Sequence, residues 1–371
     1  MVGECLSNDR TFVGRTALFA WLASLWRQPE GKPTVVLIGQ RRIGKTSLLH
    51  KIERAGLANT QLVPIFINIQ DISSESDFLT TTCNMMAVAI GMDIPTLDKA
   101  EPYVDFKRFL AQAKQPLQGR RFLLMLDEAD LIPDRKLGDL LPGFLRSLMQ
   151  QHNYPAVLLF CGTFALKRAA WDYSSILFNT AQFKTISYLS APESAELLQK
   201  PVRDILEFDD YVLEQAHQLT KGQPLLLQSL GANLIDEFNN LVWAGEERNN
   251  YVNFKDLEHA AQILVQQQDN AAFLEHWIHS DVKTHRVLSA LAWATDELNR
   301  PQLDIDGLLS ALRENALDLP RKPVFDIVQR LVDEQILEST GPAYRFAVPL
   351  YRRWIAWRWK PTTVREEGLE D

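Results

Sequence analysis

The stretch that most constrains the fold is residues 35–49, which read VVLIGQRRIGKTSLL. A run rich in β-branched residues leads into a turn that has glycine at both ends, and Lys45 and Thr46 then open a segment with helical apolar spacing. This order of strand, glycine-containing loop and helix is what the pattern G-x-x-x-x-G-K-[ST] requires in order to cradle phosphate groups. A glycine turn that carries Lys-Thr by chance is the alternative, and the strand and helix on the correct sides favour nucleotide binding.

The chemistry of this loop assigns a role to each of its parts. We expect Gly39 to let the chain leave the strand in a conformation closed to residues with a Cβ, and Gly44 to let the backbone approach a phosphate closely. Backbone N–H groups between the two glycines form an anion nest, to which the following helix adds the positive end of its dipole. Lys45 is predicted to reach the β- and γ-phosphates, and the Thr46 hydroxyl to ligate Mg²⁺. The residues predicted to bind the nucleotide here are Gly39, Gln40, Arg41, Arg42, Ile43, Gly44, Lys45, Thr46 and Ser47.

A second stretch, residues 121–130, places acidic residues at the end of an apolar run. Apolar residues 122–126 lead directly into Asp127 and Glu128, which is typical of a fully buried parallel strand whose carboxyl end carries chemistry. Asp127 is predicted to hold Mg²⁺, directly or through water, and Glu128 to orient and deprotonate the attacking water. Acids at a strand end can also be simple helix caps, but the phosphate loop upstream favours the catalytic interpretation.

Hydroxyl and basic side chains elsewhere are candidates for contacts with the phosphates. Thr163 ends another buried strand, 156–163, where a γ-phosphate sensor is expected on a strand next to the acidic one; a plain strand-ending turn is the alternative. Lys167 and Arg168 are candidates for a basic group that acts on the γ-phosphate, within the chain or across a subunit contact, with a solvated surface as the alternative. Arg15 follows a glycine, and is either near the phosphates or a solvated residue at a helix start.

The second half of the sequence is predominantly helical. Ser190 and Glu193 have capping-box spacing, which predicts a helix start, and Gly222 and Pro224 are expected to end one helix and to open the next. Residues 284–360 then contain helical patterns followed by two short strands about a Gly-Pro turn, which is the order of a winged helix. The helical patterns centre on residues 287–294, 305–312 and 324–332, and the strands lie within 336–347.

Together these segments resemble STAND P-loop ATPases, and more narrowly the archaeal-type and bacterial ATPases in which a basic pair precedes Ile-Gly-Lys-Thr-Ser-Leu-Leu. The ordered set with its winged-helix ending is more specific than the phosphate loop by itself. Thr16 departs from the family pattern, because an acid often stands there, and the winged helix lacks the Met-His-Asp signature that contacts ADP in animal and plant relatives. The matching segments are 12–15, 39–49, 123–128, 161–163, 222–224 and 344–354, and together they span nearly the whole length of the chain.

The resemblance implies an α/β, parallel-sheet P-loop NTPase core of the ASCE type, an all-α lid, and a winged-helix domain that closes over the nucleotide. It also implies that Arg15 touches the phosphates, that Thr163 is the sensor, and that Pro224 packs near the nucleotide base. In such proteins ADP holds the domains shut, and exchange for ATP opens them and permits self-association. The corresponding domains are residues 1–190, 191–270 and 271–371.

Composition and charge limit the partners. The chain has 371 residues, of which 46% are hydrophobic and 23% charged, as in a soluble globular protein. A net charge of −8 gives no global attraction to nucleic acid or to an anionic membrane. No apolar run is long enough to span a bilayer, and three cysteines that lie far apart suit a reducing compartment, so we expect a cytoplasmic protein.

The function that we expect is a switch in signalling or defence that binds ATP or ADP with Mg²⁺ and hydrolyses ATP slowly. Self-association in the ATP state, and effector or sensor domains or proteins outside these residues, are the expected partners. The alternative is a DNA-handling AAA-like ATPase that reads DNA with the winged helix. Its expected recognition helix, residues 324–337, carries Asp326, Asp333 and Glu334 with only Arg330, although groove binding requires phosphate neutralisation. A third hypothesis is a scaffold that binds a nucleotide tightly and does not hydrolyse it. Glu128 argues against this hypothesis, because a protein that does not hydrolyse ATP has no need of this carboxylate.

Overall fold

A parallel sheet carries both the phosphate loop and the acidic strand end. A computed structural model of the protein describes residues 12–27, 33–98, 100–134, 137, 140–150, 153–166, 181–245, 249–267 and 271–367. The strands of the sheet are β1 (Val35–Ile38), β2 (Leu62–Asn68), β3 (Arg121–Asp127), β4 (Ala156–Gly162) and β5 (Gln182–Thr185), in the spatial order β2-β3-β4-β1-β5.

The acidic strand β3 does not pair with the loop strand β1, because β4 lies between them. On one side of β4, Cys161 is in register with Leu37 of β1; on the other side, Phe160 is in register with Leu126 of β3. All residues of β1, β3 and β4 are buried, whereas those of β2 alternate between buried and half-buried. Burial on both faces explains why these strands are continuous apolar runs in the sequence. The sheet therefore has the predicted P-loop NTPase fold, with the inserted strand expected of the ASCE type.

Helices pack on this sheet, and an apolar cluster fills the space between several of them and the strands. Phe78 and Phe106 from helices, and Phe122 and Phe160 from strands, are all buried in it. Burying such large side chains is the main favourable term in folding. The helices are α1 (Thr16–Trp26), α2 (Lys45–Ala55), α3 (Glu75–Ala89), α4 (Pro102–Gln112), α5 (Lys114–Leu117), α6 (Leu131–Asp134) and α7 (Leu140–Gln150).

The described part of the chain divides into two compact units, with the boundary between Ser187 and Tyr188. The first unit contains the parallel sheet. The second contains the chain from Tyr188 onwards together with residues 12 and 13. One apolar cluster within this second unit includes side chains from Leu189 to Val364, and its further division at residue 270 stays a prediction.

The second unit is mainly helical, as predicted. The capping box at its start is confirmed, since the Ser190 N–H donates a hydrogen bond of 2.8 Å to Glu193 Oε2. Gly222 has φ 78° just after the helix that ends at Thr220, and Pro224 opens the next helix, both as predicted. None of the described helices combines the length and the apolar character needed to cross a membrane. The elements are α8 (Ala191–Gln199), β6 (Glu207–Phe208), α9 (Asp210–Thr220), α10 (Pro224–Trp243), β7 (Tyr251–Val252), α11 (Phe254–Gln266) and α12 (Ala271–Ile278).

The last part of the chain has the predicted order of helices followed by a hairpin. A short strand at Leu303–Asp304, which the sequence pattern does not predict, pairs with the hairpin. The helix expected from residue 324 begins at Arg321 instead. The elements are α13 (Val282–Ala294), β8 (Leu303–Asp304), α14 (Ile305–Glu314), α15 (Arg321–Asp333), β9 (Leu337–Thr340), β10 (Ala343–Phe346), α16 (Pro349–Arg358) and α17 (Pro361–Glu367), and the strands form an antiparallel sheet in the order β8-β10-β9.

A cluster of carboxylates and guanidinium groups connects elements of the second unit. Arg353 of α16 donates to Glu297 from Nε at 2.7 Å and from Nη2 at 2.6 Å, and to Glu258 of α11 from Nη1 at 3.0 Å. The neighbouring Arg352 donates to the Thr295 carbonyl at 2.8 Å. Burial raises the pKa of Glu297, but the hydrogen bonds and charge of Arg353 outweigh this, so that the pKa is lowered overall. The cluster therefore fixes α16 to α11 and to the loop after α13.

Candidate nucleotide-binding site

The phosphate loop leaves the sheet at Gly39, where the backbone is closely packed. The Gly39 N–H donates to the Gly162 carbonyl at 3.2 Å, which extends the pairing of β1 with β4. A Cβ at residue 39 would lie 2.9 Å from the carbonyl oxygen of Ile186, just beyond β5, and 3.1 Å from the Ile43 side chain. A side chain is thus excluded at Gly39 as expected, but by steric contact and not by dihedral angle, because Gly39 is not among the described glycines with a positive φ.

Gly44 supplies the backbone conformation that a side chain would disfavour. It has φ 92° directly before α2, and Arg42 also has a positive φ of 59°. The Leu48 N–H donates to the Gly44 carbonyl at 3.0 Å, so α2 begins immediately after the turn. No heavy atom of the described chain would lie within 4 Å of a Cβ at Gly44, so the space beside this backbone is open. Of the other loop residues, Gln40, Ile43 and Ser47 are buried, Arg41 is half-buried and Arg42 is exposed.

Lys45 folds back over the loop. Its Nζ donates to the Gln40 carbonyl at 2.9 Å and to the Gly39 carbonyl at 3.3 Å, and the residue is only 5% exposed. The ammonium group is therefore a positive charge held at the loop that is predicted to bind phosphate. Phosphate oxygens are charged and accept stronger hydrogen bonds than carbonyl oxygens, which favours an exchange of partners when a nucleotide binds.

Thr46 and Asp127 are brought together from the start of α2 and the end of β3. The Thr46 hydroxyl donates to Asp127 Oδ2 at 2.6 Å. Burial raises the pKa of Asp127, while the hydrogen bond from Thr46 and the charge of Lys45 act in the opposite direction. The predicted metal ligands are thus in direct contact, although β4 lies between β3 and β1, the strand that leads into the phosphate loop.

Asp127 has the property expected of a residue that holds a cation. It is 2% exposed, and its Oδ1 atom is buried with no hydrogen-bond partner in the described part of the structure. A buried carboxylate oxygen without a partner is costly unless a ligand or water satisfies it. Mg²⁺ binds through one or two protein oxygens together with water and phosphate, so the Thr46 and Asp127 oxygens fit this ion.

Glu128 follows Asp127 in a left-handed backbone conformation, with φ 51°. Burial raises the pKa of its carboxyl group, the charge of Lys45 lowers it, and the charge of Asp127 raises it. Such φ values are uncommon for residues other than glycine and are found at functional sites, where the surrounding structure fixes them.

Thr163 lies at the end of β4, between the loop strand and the acidic strand. Its backbone N–H donates to Asp130 Oδ1 and its hydroxyl donates to Asp130 Oδ2, each at 3.1 Å. No role is predicted from the sequence for Asp130 or for Gly162, which precedes Thr163. The third acid of Asp-Glu-Ala-Asp at residues 127–130 was the signal that could have revealed Asp130.

Arg15 lies against the phosphate loop. Its Nη2 donates to the Ile43 carbonyl at 3.2 Å, and its Nη1 donates to the Ser187 carbonyl. Arg15 also has a positive φ of 64° directly before α1. The structure therefore places Arg15 beside the phosphate loop, and its contact with the phosphates stays a prediction.

Other predicted contacts stay predictions as well. Lys167 and Arg168 lie outside the described residues. Pro224 belongs to the second unit, where it occupies the first position of α10.

Parallel strands that present this loop and these acids at their carboxyl ends are the framework of P-loop ATPases, and the chain is an ATPase of that class. Residues 27–169 match a family model described as an AAA domain. No curated protein sequence matches the chain.

Solved structures share the fold along nearly the whole chain. The Walker-type ATPase PABY2304 of Pyrococcus abyssi is similar with a TM-score of 0.68 and 16% identity, over 98% of this chain and 99% of that one. The ORC2 protein of Aeropyrum pernix, solved as ADPNP–ADP complexes, is similar with a TM-score of 0.64 and 12% identity, over 98% of each chain. At these identities the likeness concerns the fold alone.

Proposed function

We propose that this protein is a nucleotide-controlled molecular switch of the STAND type that acts in signalling or defence. It binds ATP or ADP with Mg²⁺ and hydrolyses ATP slowly. The observation that carries the proposal is the contact between Thr46 and Asp127 next to Lys45, because it combines a metal-binding pair and a phosphate-binding cation in one site. The helical second unit is the part that such a switch moves between its states.

Each site residue has a proposed role. Lys45 binds the β- and γ-phosphates, Thr46 and Asp127 hold Mg²⁺, and Glu128 deprotonates the attacking water. The metal would stabilise charge that develops on the phosphates. The remaining proposed nucleotide contacts are Gly39, Gln40, Arg41, Arg42, Ile43, Gly44 and Ser47 of the loop, with Arg15 at the phosphates and Pro224 near the base, and Thr163 is assigned to catalysis.

The rest of the proposal concerns the second unit and the setting. We assign its residues up to 270 to a lid and those from 271 to a winged helix, on the basis of the helices and the antiparallel hairpin sheet. Self-association in the ATP state is proposed, with effectors or sensors supplied by other residues or proteins. The cytoplasm is the proposed location, and Cys83 and Cys161, both free and buried, support a reducing environment.

Two substitutions test the ATPase site. Lys45→Ala should abolish nucleotide binding, measured with a fluorescent ADP analogue. Glu128→Gln should keep that binding and lower the hydrolysis rate by about a hundredfold or more, because it removes the general base. Glu101→Gln, at an exposed helix start, is the matched control and should behave like the parent. If Lys45→Ala and Glu128→Gln both match the parent in binding and turnover, the site is wrongly assigned.

A separate measurement tests the switch. The mass of Glu128→Gln should be that of a monomer with ADP and should increase with ATP and Mg²⁺, because slow hydrolysis preserves the ATP state. Mass photometry at fixed protein concentration measures this directly. The same mass in both nucleotide states would refute the switch and leave the ATPase assignment intact.

The DNA-handling alternative has less support from charge. The helix α15 starts earlier than expected and so gains Arg321 and Lys322, but these cations pair with Asp306 and Asp326. Arg330 donates to the Thr284 hydroxyl. Contacts with DNA phosphates require cationic side chains that face the nucleic acid. A cation that already pairs with a carboxylate contributes less to DNA binding. A gel shift with duplex DNA at low salt would revive this alternative, and its absence would dispose of it.

A further inference from the structure

A pair of hydrogen bonds joins the loop after β3 to the end of β4. Asp130 Oδ1 accepts from the Thr163 backbone N–H and Asp130 Oδ2 accepts from the Thr163 hydroxyl, each at 3.1 Å. The fit depends on Gly162, because a Cβ there would overlap Asp130 Oδ1. We refer to the contact between the Asp130 carboxylate and Thr163 as the latch.

The latch encloses the loop that carries Glu128. With φ 51°, Glu128 has a backbone conformation that disfavours side chains by about 1 kcal/mol and therefore needs support from its surroundings. That support comes from β4 at two points. The Ala129 N–H donates to the Cys161 carbonyl at 2.9 Å, and the Asp130 side chain is held by Thr163.

The hydroxyl proton of Thr163 is already committed. A threonine hydroxyl has one proton to donate, and here it goes to Asp130, while the oxygen accepts from the Ala165 N–H at 3.2 Å. Phosphate oxygens accept hydrogen bonds. In this arrangement Thr163 therefore has no side-chain proton to offer to a γ-phosphate.

From this geometry we infer that Asp130 is a positioning residue, which together with Thr163 fixes the Glu128 loop for hydrolysis. Thr163 serves the site through the latch and not by direct contact with the γ-phosphate. The inference rests on the proposed function in one respect, that Glu128 is the general base. The latch itself is a property of the polypeptide without nucleotide.

Hydrogen exchange of the full-length protein without nucleotide tests the latch. Thr163→Val keeps the branched shape and removes the hydroxyl, and Asp130→Asn replaces an acceptor by a donor. In both variants, deuterium uptake in peptides covering residues 127–131 should be about fivefold faster than in the parent, whereas Thr163→Ser should match the parent. The control is Asp281→Asn in the second unit, where Asp281 Oδ1 accepts from both the backbone N–H and the hydroxyl of Thr284. It should leave uptake at residues 127–131 unchanged.

Binding and turnover then separate positioning from direct sensing. If Thr163 and Asp130 have a positioning role, Thr163→Val and Asp130→Asn lower kcat by about tenfold to a hundredfold. Both variants keep the affinities for ADP and for a non-hydrolysable ATP analogue within about twofold of the parent values. Thr163→Ser, which keeps the hydroxyl, restores kcat. If Thr163 instead contacts the γ-phosphate directly, Thr163→Val weakens binding of the ATP analogue relative to ADP, and hydrogen exchange at residues 127–131 stays at the parent rate. This result would overturn the inference. If no nucleotide binds to the parent, the proposed function fails, and the exchange experiment still decides whether the latch exists.

Discussion

Thr46 and Asp127 are joined by a hydrogen bond of 2.6 Å from the threonine hydroxyl to Asp127 Oδ2, across 81 residues of sequence. The other carboxylate oxygen, Oδ1, is buried and has no hydrogen-bond partner among the residues described. Burial raises the pKa of this aspartate, so its charged form is disfavoured in the protein without ligand. The Asp127 carboxylate thus lowers the stability of the folded protein without ligand, and it is placed to bind a cation. Such a residue contributes to binding at the expense of stability.

The first prediction follows from these opposite effects of Asp127 on binding and on stability. Asp127→Asn should abolish the increase in nucleotide affinity that Mg²⁺ produces, by about tenfold or more, because the negative ligand is lost. The same substitution should leave the melting temperature of the nucleotide-free protein equal or higher at pH 7, because a neutral amide removes the buried charge and still accepts from Thr46. Calorimetric titration with ADP, with and without Mg²⁺, and thermal unfolding measure the two effects.

Asp77→Asn is the matched control, because it makes the same change at a position where the charged carboxylate stabilises the folded protein. The backbone and side-chain hydrogen bonds of Ser73 lower the pKa of Asp77, so its charged form stabilises the protein above the ordinary pKa of an aspartate. Asp77→Asn should therefore lower the melting temperature slightly and leave the Mg²⁺ effect intact. A clear loss of stability in Asp127→Asn would contradict our account of the site.

The second prediction compares two glycines of the first unit. Gly162→Ala should lower the free energy of unfolding by about 1–3 kcal/mol, because its Cβ would overlap Asp130 Oδ1. Gly143→Ala in α7 should raise it by about 0.5–1 kcal/mol, because no described heavy atom lies within 4 Å of the new Cβ and alanine favours a helix. Urea unfolding of both variants measures the difference. Equal stability of the two would show that Asp130 does not need the space beside Gly162.

The local motifs could be predicted because each depends on a few adjacent residues. The loop at 39–47 and the acids after β3 are short patterns, and burial on both faces made β1, β3 and β4 continuous apolar runs. The strand order could not be read in the same way. The place of β4 beside the acidic strand follows from the family resemblance, whereas the contact between Asp130 and Thr163 at the ends of β3 and β4 depends on side chains that no short pattern brings together.

Weak local signals explain the other misses. Strand β8 has only two residues, which is too short for a period of two to appear. The helix α15 begins at Arg321 and so includes Pro323 in its first turn, where proline is tolerated because its missing N–H is not needed. The closest group that excludes a side chain at Gly39 is the carbonyl of Ile186, which is distant in sequence, so this steric reason for the glycine does not show in the local pattern.

The third prediction separates steric overlap from backbone strain in the second unit. Gly222 has φ 78°, and a Cβ there would overlap the carbonyl oxygen of Leu189. Gly341 has a similar φ of 74°, but no heavy atom of the described chain lies within 4 Å of its Cβ position. Gly341→Ala should therefore lower the free energy of unfolding by about 1 kcal/mol, and Gly222→Ala by about 2–4 kcal/mol. If urea unfolding shows similar losses of unfolding free energy for the two variants, the backbone near Leu189 shifts at little cost to accommodate the new Cβ.

The last prediction concerns the pair formed by Glu297 and Arg353, whose side chains are 29% and 25% exposed. Although burial raises the pKa of Glu297, its bonds with Arg353 lower it overall. A carboxyl group whose pKa is lower in the folded than in the unfolded protein adds stability that is fully present above the unfolded pKa. That stability is lost as the pH falls through the folded value.

Glu297→Gln should lower the free energy of unfolding by about 1–3 kcal/mol at pH 7, because Arg353 keeps its charge and loses one of its two anionic partners. The difference from the parent should shrink as the pH falls below the ordinary glutamate value of 4.5, since the parent then loses the charge as well. Urea unfolding at several pH values, followed by tryptophan fluorescence, measures it. Asp326→Asn breaks an exposed pair with Lys322 and should stay within about 0.5 kcal/mol of the parent throughout. A loss in Glu297→Gln that is the same at every pH would assign the effect to packing instead of charge.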